Sequence, residues 1–475
     1  MLEFGIGLTE YAPLAIYIIC IIVAILTLVY RVDIGIVAYV FFLPLQNLLM
    51  WSAKYPSGKD LNDILLVCML VGWFIRNRKL DKFKNPFTIL LFIFFLWTLF
   101  GVYNGTHYIG RSDVISLDNP LFVLWKNYLI PFILFFIIVH NIKTRRQILW
   151  ILGAMFVAIL LLDRNVYNVL HFRDLSHYEA TTYVSTSSAL SGNYLAMFLA
   201  QYAIIFVALF FSDANKWRKT AYALVVLGSY YCVMFLFCRG AYVGMAISLF
   251  CVGLLKERKI LVLIFIVLSF WNFLLPTAVL ERIEMTKSRE GYDSTTMERL
   301  YMWEIAKQMI AEKPVQGAGF ATTSQMRIKL EDTPYSNYTW RSFHNSYLQT
   351  AVELGVLGLG IILWLYLLCF LQGWKLFKMT EDGFIKGLAL GFMGSTLAIL
   401  AGNLTGTTWH LFNISGYYWV LGALVVRSMW SIEGNGEIGE KTNSLGSQQT
   451  KQISKKGDES WRRKRHRSRS RTISK

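Results

Sequence analysis

Apolar residues along the chain fall into blocks of about 17 to 25, the length at which an α-helix crosses a hydrocarbon core of about 30 Å. Basic clusters and polar turns separate many of the blocks. The pattern predicts spans at 12–30, 34–51, 61–75, 86–103, 121–140, 147–162, 189–211, 219–238, 240–255, 259–276, 346–372, 384–402 and 411–430. The third and sixth are short for a crossing. The expected fold is an all-α polytopic integral membrane protein with about 12–13 transmembrane helices and one long external loop. Four regions follow: 1–188, the N-terminal transmembrane helices; 189–402, which holds the polar loop 277–345; 403–432, the last helix; and 433–475, a polar and then basic tail.

Within the polar loop, "STTMERLYMWEIAKQMIAEKP" reads as a helix. Ser294 or Thr295 is placed to cap it, Met297, Leu300, Ile305, Met309 and Ile310 largely share one face, and Pro314 ends it. The glycine-rich "VQGAGFATT" follows. Its "QGAG" matches neither phosphate-loop pattern, G-x-x-x-x-G-K-[ST] or G-x-G-x-x-G, which argues against nucleotide binding. After "DTPYSNYTWRSFHNS" the chain returns to the membrane, with a helix starting near Asn345 or Ser346 whose free N–H groups favour a neighbouring anion.

Composition agrees with the pattern: 55% of the 475 residues are hydrophobic and 16% charged, against about 25% charged in a soluble domain. The opening "MLEFGIGLTEY" lacks a basic n-region, and the first apolar block lacks a small-residue cleavage site, so an uncleaved first helix is expected. Alternate short loops hold eighteen Lys or Arg on one side (among them Arg78, Lys79, Lys82 and Lys84) and five on the other. The positive-inside rule then puts the 277–345 loop outside and the C-terminus in the cytoplasm. All six cysteines lie in or at the ends of apolar blocks without metal-binding spacing, so packing is their expected role. The last fifteen residues, "WRRKRHRSRSRTISK", carry eight Lys or Arg of a net +17 and suit anionic lipid heads better than nucleic acid.

Ionisable residues in or beside spans are candidates for function. Arg239, in "FLFCRGAYVGMAISLF", stands between two apolar blocks with no room for an ordinary loop, and Gly240 and Gly244 allow close helix approach. It either snorkels to lipid phosphate or faces inward to hold an anion through two guanidinium donors. Lys126, Asn127, Asn193 and Glu353 read as structural polar residues. His344 is either a helix-start residue bonded to backbone or water, or a general base held at the external surface. From its local sequence both remain open.

Three stretches, "CRGAYVGM" at 238–245, "MERLYMWEIAKQMIAEKPVQGAGF" at 297–320 and "HNSYLQTAVELGVLGL" at 344–359, together resemble the O-antigen ligase and O-antigen polymerase superfamily. The likeness covers about 190–400; the first 180 residues match only as hydrophobic helices. Arg239 and Gly240 fit the family's arginine–glycine pair, although Cys238 stands where serine is common. Arg299, Trp303, Pro314, Gly317 and Gly319 fit the loop motif, and His344, Asn345, Leu348, Gly355 and Gly358 fit the last. An odd number of spans departs from the usual twelve.

The resemblance implies a GT-C-like glycosyltransferase in the bacterial inner membrane, with its site facing the periplasm. It would pass a glycan from an undecaprenyl-pyrophosphate carrier to an acceptor hydroxyl, on lipid A-core or another glycan or protein, with inversion and without metal or cofactor. In that scheme Arg239 and Arg299 stabilise the pyrophosphate, His344 is the general base, and Trp303 and Asn345 bind substrate. Repeat-unit polymerase, protein O-oligosaccharyltransferase and membrane transporter are the competing readings. No internal repeat favours the transporter.

Overall fold

A computed structural model describes residues 11–76, 86–178, 190–285, 287–288, 291–326, 328–329 and 339–435. The first ten residues, the basic cluster from Arg78 to Lys84, the stretch 330–338 and the tail from 436 onward lie outside the described residues.

The chain is an all-α polytopic membrane protein whose helices follow the hydrophobic blocks. In order they are α1 (Ala12–Val29), α2 (Val32–Phe42), α3 (Gln46–Met50), α4 (Leu61–Arg76), α5 (Pro86–Tyr108), α6 (Pro120–Asn141), α7 (Arg145–Leu170), α8 (Gly192–Ser212) and α9 (Lys216–Phe235). Then come α10 (Arg239–Leu255), α11 (Arg258–Ser269), α12 (Trp271–Leu274), α13 (Thr277–Glu284), α14 (Ser294–Glu312), α15 (Ser346–Met379), α16 (Gly383–Gly402) and α17 (Phe412–Asn435). Besides four short 3-10 helices, there are two antiparallel strand pairs of two residues each, β1 (Lys287–Ser288) with β2 (Gly291–Tyr292), and β3 (Ile328–Lys329) with β4 (Thr339–Trp340).

Each of the thirteen predicted spans contains a helix, but among the described residues seven helices are long and apolar enough to cross a membrane unaided: α1, α5, α6, α7, α8, α15 and α16. The predicted span 34–51 is bent by 103° between α2 and a segment starting at Gln46; Pro44 lies in the break, where a missing N–H ends the helix. The block 147–162, short in the sequence, extends to a 26-residue helix. Its C-terminal part is polar, and Asp163 is buried there as acceptor from Ser229 Oγ at 2.8 Å. A carboxyl group bonded through one oxygen to a neighbouring helix lets the helix continue where a hydropathy reading ends it.

Helices α8, α10 and α16 form the centre, flanked by α9 and α15. Every residue of α8 from Leu195 to Leu209 is buried, as expected of a helix apolar on all sides. Glycines permit the close contacts: a Cβ on Gly244 would stand 3.0 Å from the Ala398 carbonyl, and one on Gly391 2.8 Å from Ile205 Cα. Lys126 forms an ion pair with Asp63 of α4 at 2.8 Å. All six cysteines are free and five are buried, in keeping with packing.

Candidate active site

The start of α15 is built by an interlock between two glycine-bearing segments. At Gly355 the backbone leaves the helical region (φ 69°, ψ 178°), which strands polar groups on either side of the break. The turn after α14 takes them up. Val356 N–H donates to the Pro314 carbonyl at 2.8 Å, Ala318 N–H to Val352 at 2.7 Å and Gly319 N–H to Glu353 at 2.9 Å. The Leu354 carbonyl accepts from Trp97 Nε1 at 2.9 Å. Gly319 (φ 117°) passes so close to α5 that a Cβ there would lie 2.1 Å from Gly105 N. The "QGAG" turn is thus a wedge between α5 and α15.

Glu353 completes the wedge. Its carboxylate accepts from Ala321 N–H at 3.0 Å, from Gln349 Nε2 at 3.1 Å and from the Thr323 hydroxyl. The structural reading of this buried residue therefore holds.

Helix α14 packs on the first turns of α15 through Met302, Ile305, Ala306, Met309 and Ile310, around the fully buried Phe343. This corrects the face expected from the sequence: Leu300 is 41% exposed. The stripe begins at Met302 and follows i, i+3, i+4, i+7, i+8. The cap also differs, being Asp293, whose side chain accepts from Thr296 N–H at 3.0 Å, while Ser294 and Thr295 lie one and two residues inside. Aspartate at the position just before the helix satisfies the same orphan donor.

His344 sits between two fixed points. On one side Trp303 Nε1 donates to the Phe343 carbonyl at 2.9 Å; on the other the Asn345 side chain caps α15, accepting from Leu348 N–H at 3.1 Å. Its backbone has φ 48°, uncommon for a non-glycine residue, with its N–H donating to Ser342 Oγ at 3.2 Å. Its imidazole makes no hydrogen bond to a described residue. Burial, and secondarily the Arg299 charge, lower its pKa to about 4, so the ring is neutral at physiological pH.

His410, which the sequence did not single out, makes the contrast. Its Nε2 lies 3.2 Å from Thr350 Oγ1 and its Nδ1 3.5 Å from Ser346 Oγ, and burial lowers its pKa to about 3. Both ring nitrogens face neighbouring hydroxyls.

Arg239 is the first residue of α10, after a turn in which Phe237 has φ 54°. Its guanidinium turns inward, donating through Nη2 to Asp293 at 3.0 Å and to Thr295 Oγ1 at 3.1 Å, and its side chain is 19% exposed. Arg282 of α13, which no motif marked, lies 3.6 Å from the same carboxylate. Arg299 donates to no described residue, and burial leads the causes that lower its pKa, with Arg239 and Arg282 near enough to add repulsion. Of the residues singled out in the sequence, Arg239, Arg299 and His344 come together. Trp303 and Asn345 are engaged in holding the backbone around His344.

The site offers several guanidinium donors, the carboxylate of Asp293 bonded to one of them, and a neutral imidazole that bonds to no described residue. It can bind a multiply charged anion and accept a proton beside it.

The family model for O-antigen ligase matches residues 223–363, a stretch that contains Arg239, Arg299 and His344. A candidate polysaccharide ligase of Rickettsia conorii is 28% identical over 157 residues, 31% of this chain and 36% of that protein. A second, from Rickettsia felis, is 28% identical over 159 residues, 31% of this chain and 37% of its own length. The chain thus aligns with little more than a third of each relative. These matches bear out the resemblance to the O-antigen ligase superfamily drawn from the three sequence stretches.

Proposed function

We propose that the protein is a metal-independent inverting glycosyltransferase of the O-antigen ligase type. It transfers a glycan from an undecaprenyl-pyrophosphate carrier to an acceptor hydroxyl at the external, periplasmic face of a bacterial inner membrane. The observation that carries this reading is the position of Arg299, close to Arg239 on one side and on the other to the His344 ring, which bonds to no described residue, all within the stretch matched by the family model.

In the proposed step, the acceptor oxygen attacks the anomeric carbon of the donor and the bond from that carbon to the pyrophosphate oxygen breaks. The electron pair leaves with the pyrophosphate, and the hydroxyl proton goes to His344. Arg239 and Arg299 stabilise the charge that grows on the leaving oxygen, the kind of term that is usually largest when donors are placed in advance. Trp303 and Asn345 serve substrate binding by keeping His344 in place.

The test is transfer from a purified lipid-pyrophosphate glycan donor by the detergent-solubilised full chain, with no sealed membrane. Transfer supports an enzyme; its absence, in a chain that moves the donor across vesicles, would make the protein a transporter. Glycan analysis after gene deletion then assigns the acceptor: a lost ligase leaves long polymer on the carrier, a lost polymerase leaves single repeats on the final acceptor.

A further inference from the structure

The clustering of three arginines around one carboxylate has a consequence for how the diphosphate is held. Asp293 divides its two oxygens between two tasks. Oδ1 caps α14 through Thr296 N–H at 3.0 Å. Oδ2 faces Arg239 Nη2 at 3.0 Å, Thr295 Oγ1 at 2.8 Å and Arg282 Nη1 at 3.6 Å. The side chains of Arg239, Arg282 and Asp293 are 19%, 15% and 12% exposed, so these charges are largely withdrawn from water. With Arg299 beside them and Glu298 within electrostatic reach of Arg299 and Asp293, three positive charges meet two negative ones, which leaves a positive excess. A half-buried excess of positive charge is unfavourable until an anion joins it.

Arg282 is held for such a role. Its Nε donates to the Phe237 carbonyl at 3.3 Å, in the turn that precedes Arg239, and its guanidinium lies over the Tyr178 ring at 4.9 Å. Fixed in this way, it directs Nη1 to the same point as Arg239.

We propose that Arg282 is a third guanidinium ligand of the donor's diphosphate, and that the diphosphate displaces Asp293 Oδ2 from Arg239 and Arg282 while Oδ1 keeps its cap. This rests on the reading of the arginine cluster as the diphosphate site. A diphosphate brings more charge and more acceptor oxygens than one carboxylate oxygen, so exchange at the arginines is favourable. Asp293 is then a resident counter-ion that keeps the guanidinium groups in place between turnovers, and it weakens binding by competing for them.

The test measures farnesyl diphosphate binding to the detergent-purified full chain by calorimetry, with size-exclusion profile and melting temperature as checks on folding. Arg282→Lys keeps the charge but loses the forked geometry and is expected to weaken binding about tenfold or more, as is Arg282→Ala. Asp293→Asn retains the cap, because asparagine caps as well as aspartate, and is expected to tighten binding several-fold. A purely structural Asp293 predicts the opposite sign. Wild-type affinity in both Arg282 variants, with binding lost in Arg239→Ala, would overturn the role of Arg282 and leave the diphosphate site standing. Weaker binding by Asp293→Asn would overturn the counter-ion role. No binding by the wild-type chain would remove the diphosphate site and this inference together.

Discussion

At the scale of single residues, His344 and Arg239 carry the sharpest expectations. His344→Ala should lower transfer by about a hundredfold to ten-thousandfold, the usual contribution of a general base, in a protein with an unchanged elution profile. Transfer at the wild-type rate would remove the histidine from the mechanism. Arg239→Lys should also fail, since an ammonium cannot offer the paired donors of a guanidinium. The lowered pKa of His344 fixes the sign of a pH effect. The proton-accepting, neutral form predominates above about pH 4, so the acid limb of kcat/KM should lie well below the ordinary imidazole value of 6.5. The limb of kcat should lie higher, because bound diphosphate offsets the Arg299 charge that helps to depress the free site. Coincident limbs near pH 6.5 would contradict this account of His344.

At the scale of elements, the wedge of 314–319 into the break in α15 makes Gly355 a structural requirement. A Cβ there would stand 1.9 Å from the Val315 carbonyl oxygen, on a backbone with φ 69°. Gly355→Ala should destabilise by about 2 kcal/mol or more, combining left-handed strain with overpacking. Gly360→Ala, five residues along the same helix with nothing within 4 Å, should be tolerated. Thermal unfolding in detergent checks both, and equal melting temperatures would show that the interlock is not rigid. Because Pro314 ends the helix that carries Arg299 and Trp303, Gly355→Ala should lose activity as well as stability.

At the scale of the whole molecule, orientation is the open quantity that labelling can decide. A membrane-impermeant thiol reagent on intact spheroplasts should modify Glu312→Cys, at the exposed end of α14, and leave Lys216→Cys unmodified until the cells are lysed. The native cysteines are buried or half-buried and should contribute little background. The reverse pattern would place the arginine cluster on the cytoplasmic side and exclude a periplasmic reaction. Removal of 461–475 should leave transfer intact, measured on chain that inserts normally, if the basic tail serves only to bind lipid heads.

The sequence by itself determined the membrane class and the approximate place of the long apolar helices, because a bilayer demands long apolar runs whose backbone bonds close within the segment. It also brought out Arg239 and His344 at the boundary between apolar and polar chain, and Arg299 through the family resemblance. Tertiary structure decided what lies between those residues. Arg282 carries no motif, and only the fold sets it 3.6 Å from the carboxylate that Arg239 also uses. The extension of α7 past Asp163 depends on a partner distant in the chain. Trp303 and Asn345 stand in the sequence as substrate residues, and the fold adds the bonds by which they hold the Phe343 carbonyl and the Leu348 N–H on either side of His344. Apolar pattern is a property of neighbours along the chain and can be read there. Hydrogen-bond partners and shared charge are set by neighbours in space, which folding alone brings together.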